Sequence, residues 1–448
     1  MQKSTLSTGA RLLILIVAFV GWFLGGVQIG ITNLAMRPAA LALMAESGEL
    51  DGKRFAELAA TKKAAIQGEA NPLPAAEAEQ LSIWEAAAAR WYAYFQCAFL
   101  FGAAAGGWFF GRLGDRIGRT RALGLSIICF SALTGMSFIA SHPMHLLVLR
   151  FLACMGVGGC WPNGVALVSE AWERVARPVM ASLIGMAGNV GIFAVATLLT
   201  QHPVTPESWR WVLQLGGLPV LLGMAVWLFV RESPAWIGSQ SKQRAEAGHE
   251  SPSVFGKSYR SVTLIGIALA TVPLFGGWGA ANWMIPWAGE VGPDGLGPQI
   301  GQVRSIASII GSALAAVIAL RIGRRTCYFL SCLFALAIAQ YAYWFTTPVD
   351  SGFLIWVAAW GLFNGIFFGW LPFFLPELFE TRIRATGAGV SFNFGRILTA
   401  SLIFITPAIT NVFDGNYAHI GRVTSLVFVI GMIAILFAPD TSKRDMEQ

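Results

Sequence analysis

Apolar residues run along this chain in long unbroken stretches, without the alternation of strands or the one-sided stripe of soluble helices. Twelve such runs approach 20 residues, the length that spans a bilayer as helix. They lie near 11–36, 90–111, 122–140, 144–169, 179–200, 210–230, 262–287, 302–320, 327–346, 353–376, 386–407 and 421–438. A hydrophilic segment over 231–261 divides them six and six. The pattern predicts an all-α membrane protein of twelve transmembrane helices in two six-helix bundles, with a site between them. The expected units are 1–230, a cytoplasmic linker over 231–261, and 262–448. The apolar run from Leu12 to about Leu34 lacks a small-residue cleavage site, so it reads as a retained first span rather than a leader.

One segment departs from this rhythm. Residues 45–89 are rich in Ala, Glu and Lys, are broken at Asn71-Pro72-Leu73-Pro74, and predict an extracytoplasmic helical insertion. Ser82-Ile83-Trp84-Glu85 has the spacing of a capping box, which would open the helix leading into the second span. The segment reads as a small helical cap, with a lid or partner-docking surface as the sharper alternative.

Composition agrees with a membrane chain: of 448 residues, 55% are hydrophobic and only 12% charged. The net charge of +7 would suggest nucleic acid in a soluble protein. Here the connections explain it. The even-numbered ones carry Arg112, Arg116, Arg119 and Arg121, then Arg174 and Arg177, then Arg231, Lys242, Arg244, Lys257 and Arg260, then Arg321, Arg324 and Arg325, then Arg382 and Arg384. The short odd-numbered ones carry almost none, which places both termini in the cytoplasm; the expected location is the plasma (bacterial inner) membrane. All six cysteines sit in apolar runs without metal-ligand spacing, so neither a metal nor a cofactor is expected. No nucleotide loop or nucleophile constellation appears, which argues against an enzyme.

Polar residues inside apolar runs are costly, and so they mark candidate chemistry. Arg396 lies near the middle of the eleventh span with no evident acidic partner. It reads as a cavity residue that forks onto an anionic group; an internal structural pair is the alternative. Asn393 lies below it. Arg150 in span 4 divides between substrate access and helix packing. Arg37 and Arg304 fall near outer helix ends, where snorkelling is the plainer account. The amides Gln28, Asn33, Asn163, Asn189, Asn282 and Asn364 are accompanied by Trp22, Trp161, Trp278, Trp283 and Trp370 at apparent mid-depth. Such a set suits a ligand with a hydroxylated or planar body, although any single amide is more often an interhelical hydrogen bond. Gly156, Gly158 and Gly159 in span 4, and Gly185, Gly188 and Gly191 in span 5, allow backbones to touch.

The densest motif is Gly111-Arg112-Leu113-Gly114-Asp115-Arg116-Ile117-Gly118-Arg119-Thr120-Arg121, between spans 2 and 3. It resembles the signature loop of the major facilitator superfamily, and the resemblance covers essentially the whole chain. Its second-half counterpart, Leu320-Arg321-Ile322-Gly323-Arg324-Arg325, is degenerate, with Leu320 where an Asp would fall. Arg150 through Gly159, then Pro162, Glu170, Arg174 and Arg177, is similar to the span 4 signature. Arg231-Glu232-Ser233-Pro234 is similar to the end of span 6 in sugar and organic-acid porters. Pro376 through Gly387, followed by Asn393-Phe394-Gly395-Arg396, resembles the sialate and metabolite:proton symporter branches.

The resemblance implies alternating-access transport. It also implies a cytoplasmic gate drawn from Gly111, Asp115, Arg116, Gly118, Arg119, Glu170, Arg174, Glu377 and Arg384. The expected partners are the bilayer, a small-molecule substrate, and a coupling proton or counter-anion, with no nucleic acid and a monomeric chain. The proton-coupled relatives carry acids in span 1 where this chain has Gly25 and Gln28, which puts proton symport in doubt. The expected function is transport of a small organic anion: a monocarboxylate, an aromatic acid or an acidic sugar. A neutral sugar or polyol facilitator is the alternative. A transporter-like nutrient sensor is disfavoured by the short central segment and the short tail after Pro439.

Overall fold

The computed structural model describes residues 6–66, 71–172, 176–245, 253–280, 283–292, 296–412 and 416–441. Among these, every regular element is helical. The first six spans are α1 (Thr8–Glu46), α3 (Ala75–Ile117), α4 (Arg119–Met136), α5 (Pro143–Ala171), α6 (Arg177–Gln201), and the pair α7 (Arg210–Gly217) and α8 (Val220–Phe229). The short α2 (Gly52–Ile66) and α9 (Pro234–Ala245) lie outside the spans. The second six are α10 (Arg260–Phe275) with α11 (Met284–Val291), then α12 (Leu296–Ile322), α13 (Arg324–Phe345), α14 (Phe353–Glu377), α15 (Arg384–Val412), and the pair α16 (Tyr417–Thr424) and α17 (Val427–Leu436).

Three expected spans are broken. In span 6, Pro219 cannot donate to the preceding turn and starts a new helix. In span 7, Pro273 is followed by a π turn over Gly276–Ala280, where glycines tolerate the distortion. Span 12 breaks at Ser425-Leu426.

Within the first six spans α3 and α4 pack on α5, α1 packs on α5 and α6, and α4 also meets α8. The second six repeat the scheme, with α12 and α13 on α14, and α10 on α15 and α17. The halves meet along two seams, α3 against α15 and α6 against α12 and α14.

Side-chain contacts define two faces. The charge-rich face carries the ends of α3, α5 and α14 and the starts of α4, α13 and α15. On the opposite face Arg210 clamps Glu46 at 2.8 Å and also donates to Ala140 O at 2.9 Å. The insertion stands there.

The insertion differs from expectation in its boundaries. Span 1 continues past Pro38 to Glu46, and α3 begins at Ala75. Ser82 and Glu85 are therefore interior helix residues, not a capping box. The Ala- and Glu-rich stretch after Pro74 favours helix from its first turn, with Glu77 near the positive helix end. α2 folds back on α3 through Arg54–Glu77 at 2.6 Å and Lys62–Glu85 at 2.8 Å, with Phe55 beside Trp84. Such exposed pairs contribute little. The burial of Met44, Leu50 and Ala88 beneath them does more.

Candidate functional site

α15 is polar along one side, at Ser391, Arg396 and Thr399, and all three are buried. Arg396 lies twelve residues past Arg384, about 18 Å along the helix. Its guanidinium carbon stands 5.4 Å from the Phe99 ring centre and 5.3 Å from that of Phe392. Aromatic faces attract a cation electrostatically but satisfy none of its N–H donors. Nη1 of Arg396 is buried without a hydrogen-bond partner.

Arg396 lines a cavity of about 150 Å³ between the halves. Trp22, Asn33 and Phe99 contribute from the first half with Asn189, and Arg304, Ser305, Ser308, Trp360, Asn364, Phe368 and Phe392 from the second. Among the described residues the lining holds two arginines and no carboxylate. Arg304, read from sequence as a snorkelling end residue, instead lines the cavity half-buried, because α12 turns it inward. Arg37 is exposed.

Several sequence candidates go elsewhere. Gln28 and Arg150 are fully buried in the first half, away from the cavity. Arg150 donates to Gln28 Oε1 at 3.1 Å, Thr134 Oγ1 at 3.3 Å and Thr32 Oγ1 at 2.6 Å. Gln28 Nε2 in turn donates to Gly216 O at 3.1 Å. These hydrogen bonds tie α1, α4, α5 and α7 together inside the first half. Asn163 ties α5 to α3 through Phe110 O at 2.9 Å. Asn393 donates to Gly389 O at 2.9 Å in its own helix and packs on Gly107. Trp370 donates to Arg324 O at 3.0 Å near the charge-rich face, and Trp283 stacks on Tyr417 at 6.0 Å. Trp161 stacks on Phe392 at 4.0 Å, behind the cavity wall. Arg174, Asn282 and the side chain of Trp278 lie outside the described residues.

Sequence reasoning did not single out Phe99, Phe392, Trp360 or Phe368. Phe392 precedes Arg396 by four residues, and Trp360 precedes Asn364 by four. That spacing stacks side chains on one helical face and was available as a signal.

On the charge-rich side of the cavity the two halves are cross-linked. Ala385 N–H and Thr386 N–H donate to the Asp115 carboxylate at 3.2 and 2.8 Å, so a residue of α3 caps α15. Arg119 pairs with Asp115 at 2.8 Å and Glu170 at 3.3 Å, and Arg384 meets Glu170 at 2.9 Å. These four side chains are buried, and their charges balance. Gly118 supplies the turn beneath Arg119 with φ +111°, and a Cβ there would strike the Glu232 carboxylate.

The degenerate loop keeps the same device. Gly323 has φ +90°, and Arg324 after it pairs with Glu377 at 2.8 Å. Glu377 also accepts from Thr441 at 2.6 Å. Gly111 brings α3 close to Ala385 O. Arg116 is exposed. Sequence reasoning named Glu232 only within the span 6 motif, without a role in this cluster, yet it accepts from Thr120 N–H at 3.0 Å; Trp236, whose indole donates to Asp115 O at 3.0 Å, it passed over.

A sequence model described as Major Facilitator Superfamily matches residues 71–402. The chain is 28% identical over 352 residues to the cis,cis-muconate transport protein of Acinetobacter baylyi, covering 75% of this chain and 83% of that one. It is 26% identical over 327 residues to the sialic acid transporter NanX of Escherichia coli, covering 70% and 75%. In three dimensions it resembles the proton:xylose symporter XylE bound to 6-bromo-6-deoxy-D-glucose, with a TM-score of 0.67 over 98% of both chains at 17% identity. That likeness speaks to the fold.

Proposed function

This chain belongs to the Major Facilitator Superfamily, and from that premise we propose that it carries a small organic anion across the membrane by alternating access. The observation that carries this reading is Arg396, buried, held between Phe99 and Phe392, and lining a cavity whose described walls bear arginines and no carboxylate. A buried guanidinium surrounded by neutral groups is costly until an anion reaches it. A ligand carboxylate supplies both the missing charge and a planar acceptor. Relatives named for muconate and sialic acid, both acids, support the same class.

In this reading the charge-rich face is cytoplasmic, because its arginines follow the positive-inside rule. Both termini then lie in the cytoplasm. The two units rock about the α3–α15 and α6–α12–α14 seams, with 231–261 as the link between 1–230 and 262–448. The described conformation, cross-linked at Asp115–Thr386 and Glu170–Arg384, is the outward-facing state. The aromatic walls and amides hold the body of the ligand. A monocarboxylate, an aromatic acid and an acidic sugar all fit that description.

The test compares glucuronate with glucose in wild type, Arg396→Lys and Arg396→Gln. Losing a charge-assisted hydrogen bond costs ~1.5–3 kcal/mol, roughly tenfold to a hundredfold in affinity. Arg396→Lys is expected to weaken glucuronate as well, since an ammonium cannot reproduce the fork. Glucose binding should be unaffected by either change. Equal losses for the two ligands would make Arg396 structural and favour a neutral-sugar facilitator.

A further inference from the structure

We infer that the transported anion carries a hydroxyl group, read by Trp360 and Asn364 on α14. The inference rests on the organic-anion reading and narrows it to hydroxylated carboxylic acids.

It follows from counting which polar groups on the cavity wall already have partners. Asn33 Oδ1 accepts from Gln96 at 3.2 Å, and Asn189 Nδ2 donates to Ser312 Oγ at 3.5 Å. Ser305 and Ser308 donate to Gly301 O at 2.8 Å and Gly361 O at 2.9 Å. Three lining residues instead hold a buried polar atom with no hydrogen-bond partner: Arg396 Nη1, Trp360 Nε1 and Asn364 Oδ1. Their residues are 3%, 1% and 8% exposed. Buried polar atoms in native proteins are almost always satisfied, and orphans that share one cavity point to a ligand.

The chemistry of the orphans defines that ligand. Arg396 needs an anionic acceptor. Trp360 offers only a donor and Asn364 Oδ1 only an acceptor, and four residues of helix place them one above the other on the same face. A carboxylate could accept from Trp360 but would leave Asn364 unmet. An ammonium could donate to Asn364 but would leave Trp360 unmet, and it would sit in a cavity lined by arginines. A hydroxyl does both at once. The phenyl and indole faces of Phe99, Phe392 and Trp22 complete a wall for the carbon body between the two polar ends.

A site built around such a pair discriminates strongly, because a ligand lacking the hydroxyl leaves both partners buried and unpaired. The experiment measures binding to the purified full-length protein with matched probes: meta- and para-hydroxybenzoate against benzoate, and lactate against propionate. In wild type the hydroxy acid of at least one pair should bind about tenfold to a hundredfold tighter than its parent. Trp360→Phe and Asn364→Leu should each bring the hydroxy acid down toward its parent and so erase most of that preference, with a wild-type melting temperature and elution profile reporting that each variant is folded. Equal affinity within both pairs in wild type would overturn the inference. So would variants that weaken hydroxy and parent acids alike. Failure of all these acids to bind, with glucose bound equally by wild type and Arg396→Gln, would instead remove the organic-anion reading on which it stands.

Discussion

Asp115 on α3 and Thr386 on α15 are 271 residues apart in sequence and meet at 2.8 Å, carboxylate to backbone N–H. The contact joins the two halves and satisfies a helix end that would otherwise be buried without partners. Its neutralisation gives the first prediction. Asp115→Asn keeps shape but loses the charge at the N-terminus of α15, worth ~0.3–2 kcal/mol, and its pairing with Arg119. The closed charge-rich face should loosen without loss of fold. Alkylation of a cysteine introduced beneath the gate should speed up several-fold from that face and slow from the other. Unchanged labelling on both sides would remove Asp115 from the gate.

The second prediction concerns the other seam. Gly185 on α6 lies so close to the Phe368 backbone carbonyl that a Cβ could not fit without movement. Ser182 beside it bridges Ser312 O at 3.0 Å and Gly369 O at 2.9 Å across the halves. Gly185→Ala should push the halves apart here and shift the population in the same direction as Asp115→Asn. Distances between spin labels on α6 and α14 would report it. A distribution identical to wild type would mean that this close approach does not set the equilibrium.

Arg150 supplies a contrast. Its donors hold Gln28, Thr32 and Thr134 inside the first half. Removing it leaves buried acceptors unmet at about 1–3 kcal/mol each. Arg150→Met should therefore lower the melting temperature markedly, while the affinity of the remaining folded protein for its anion changes less than about twofold. An affinity loss comparable to that of Arg396→Gln, at unchanged stability, would return Arg150 to the binding site.

The fourth prediction is about energy coupling. Among the described residues no carboxylate lines the cavity, and the amide oxygen of Gln28 accepts from Arg150. Uptake into proteoliposomes should depend weakly on an imposed pH gradient. Strong accumulation abolished by a protonophore would show that a carboxylate elsewhere is protonated in the cycle.

Much of this protein was legible without coordinates. Runs of about 20 apolar residues can do little else but span a bilayer, and the arginines between them gather at one face. The charge- and glycine-dense loop at 111–121 marked a turn at one membrane face, because few environments tolerate that composition between two spans. Asp115, Arg119, Glu170 and Arg384 do share one cluster. The line of descent from pattern to fold is short here, since each helix satisfies its own backbone.

The candidate site was legible in part. Arg396, Trp22, Asn33, Asn189 and Asn364 share the cavity wall. Gln28, Arg150, Asn163, Asn393 and Trp370 carry the same residue types at similar apparent depths and do not. Depth follows from counting along the chain, but direction does not. Trp22 and Gln28 are six residues apart, about two-thirds of a turn around α1, so one faces the cavity and the other faces Arg150. Sequence by itself determined the spans, their charged ends and the rarity of a midplane arginine, because those are local properties of a chain in a bilayer. Which side of each helix became the wall of the cavity was decided only when α1, α3, α6, α12, α14 and α15 packed together. In a buried helix every face is apolar enough to be inside, and only the neighbours choose.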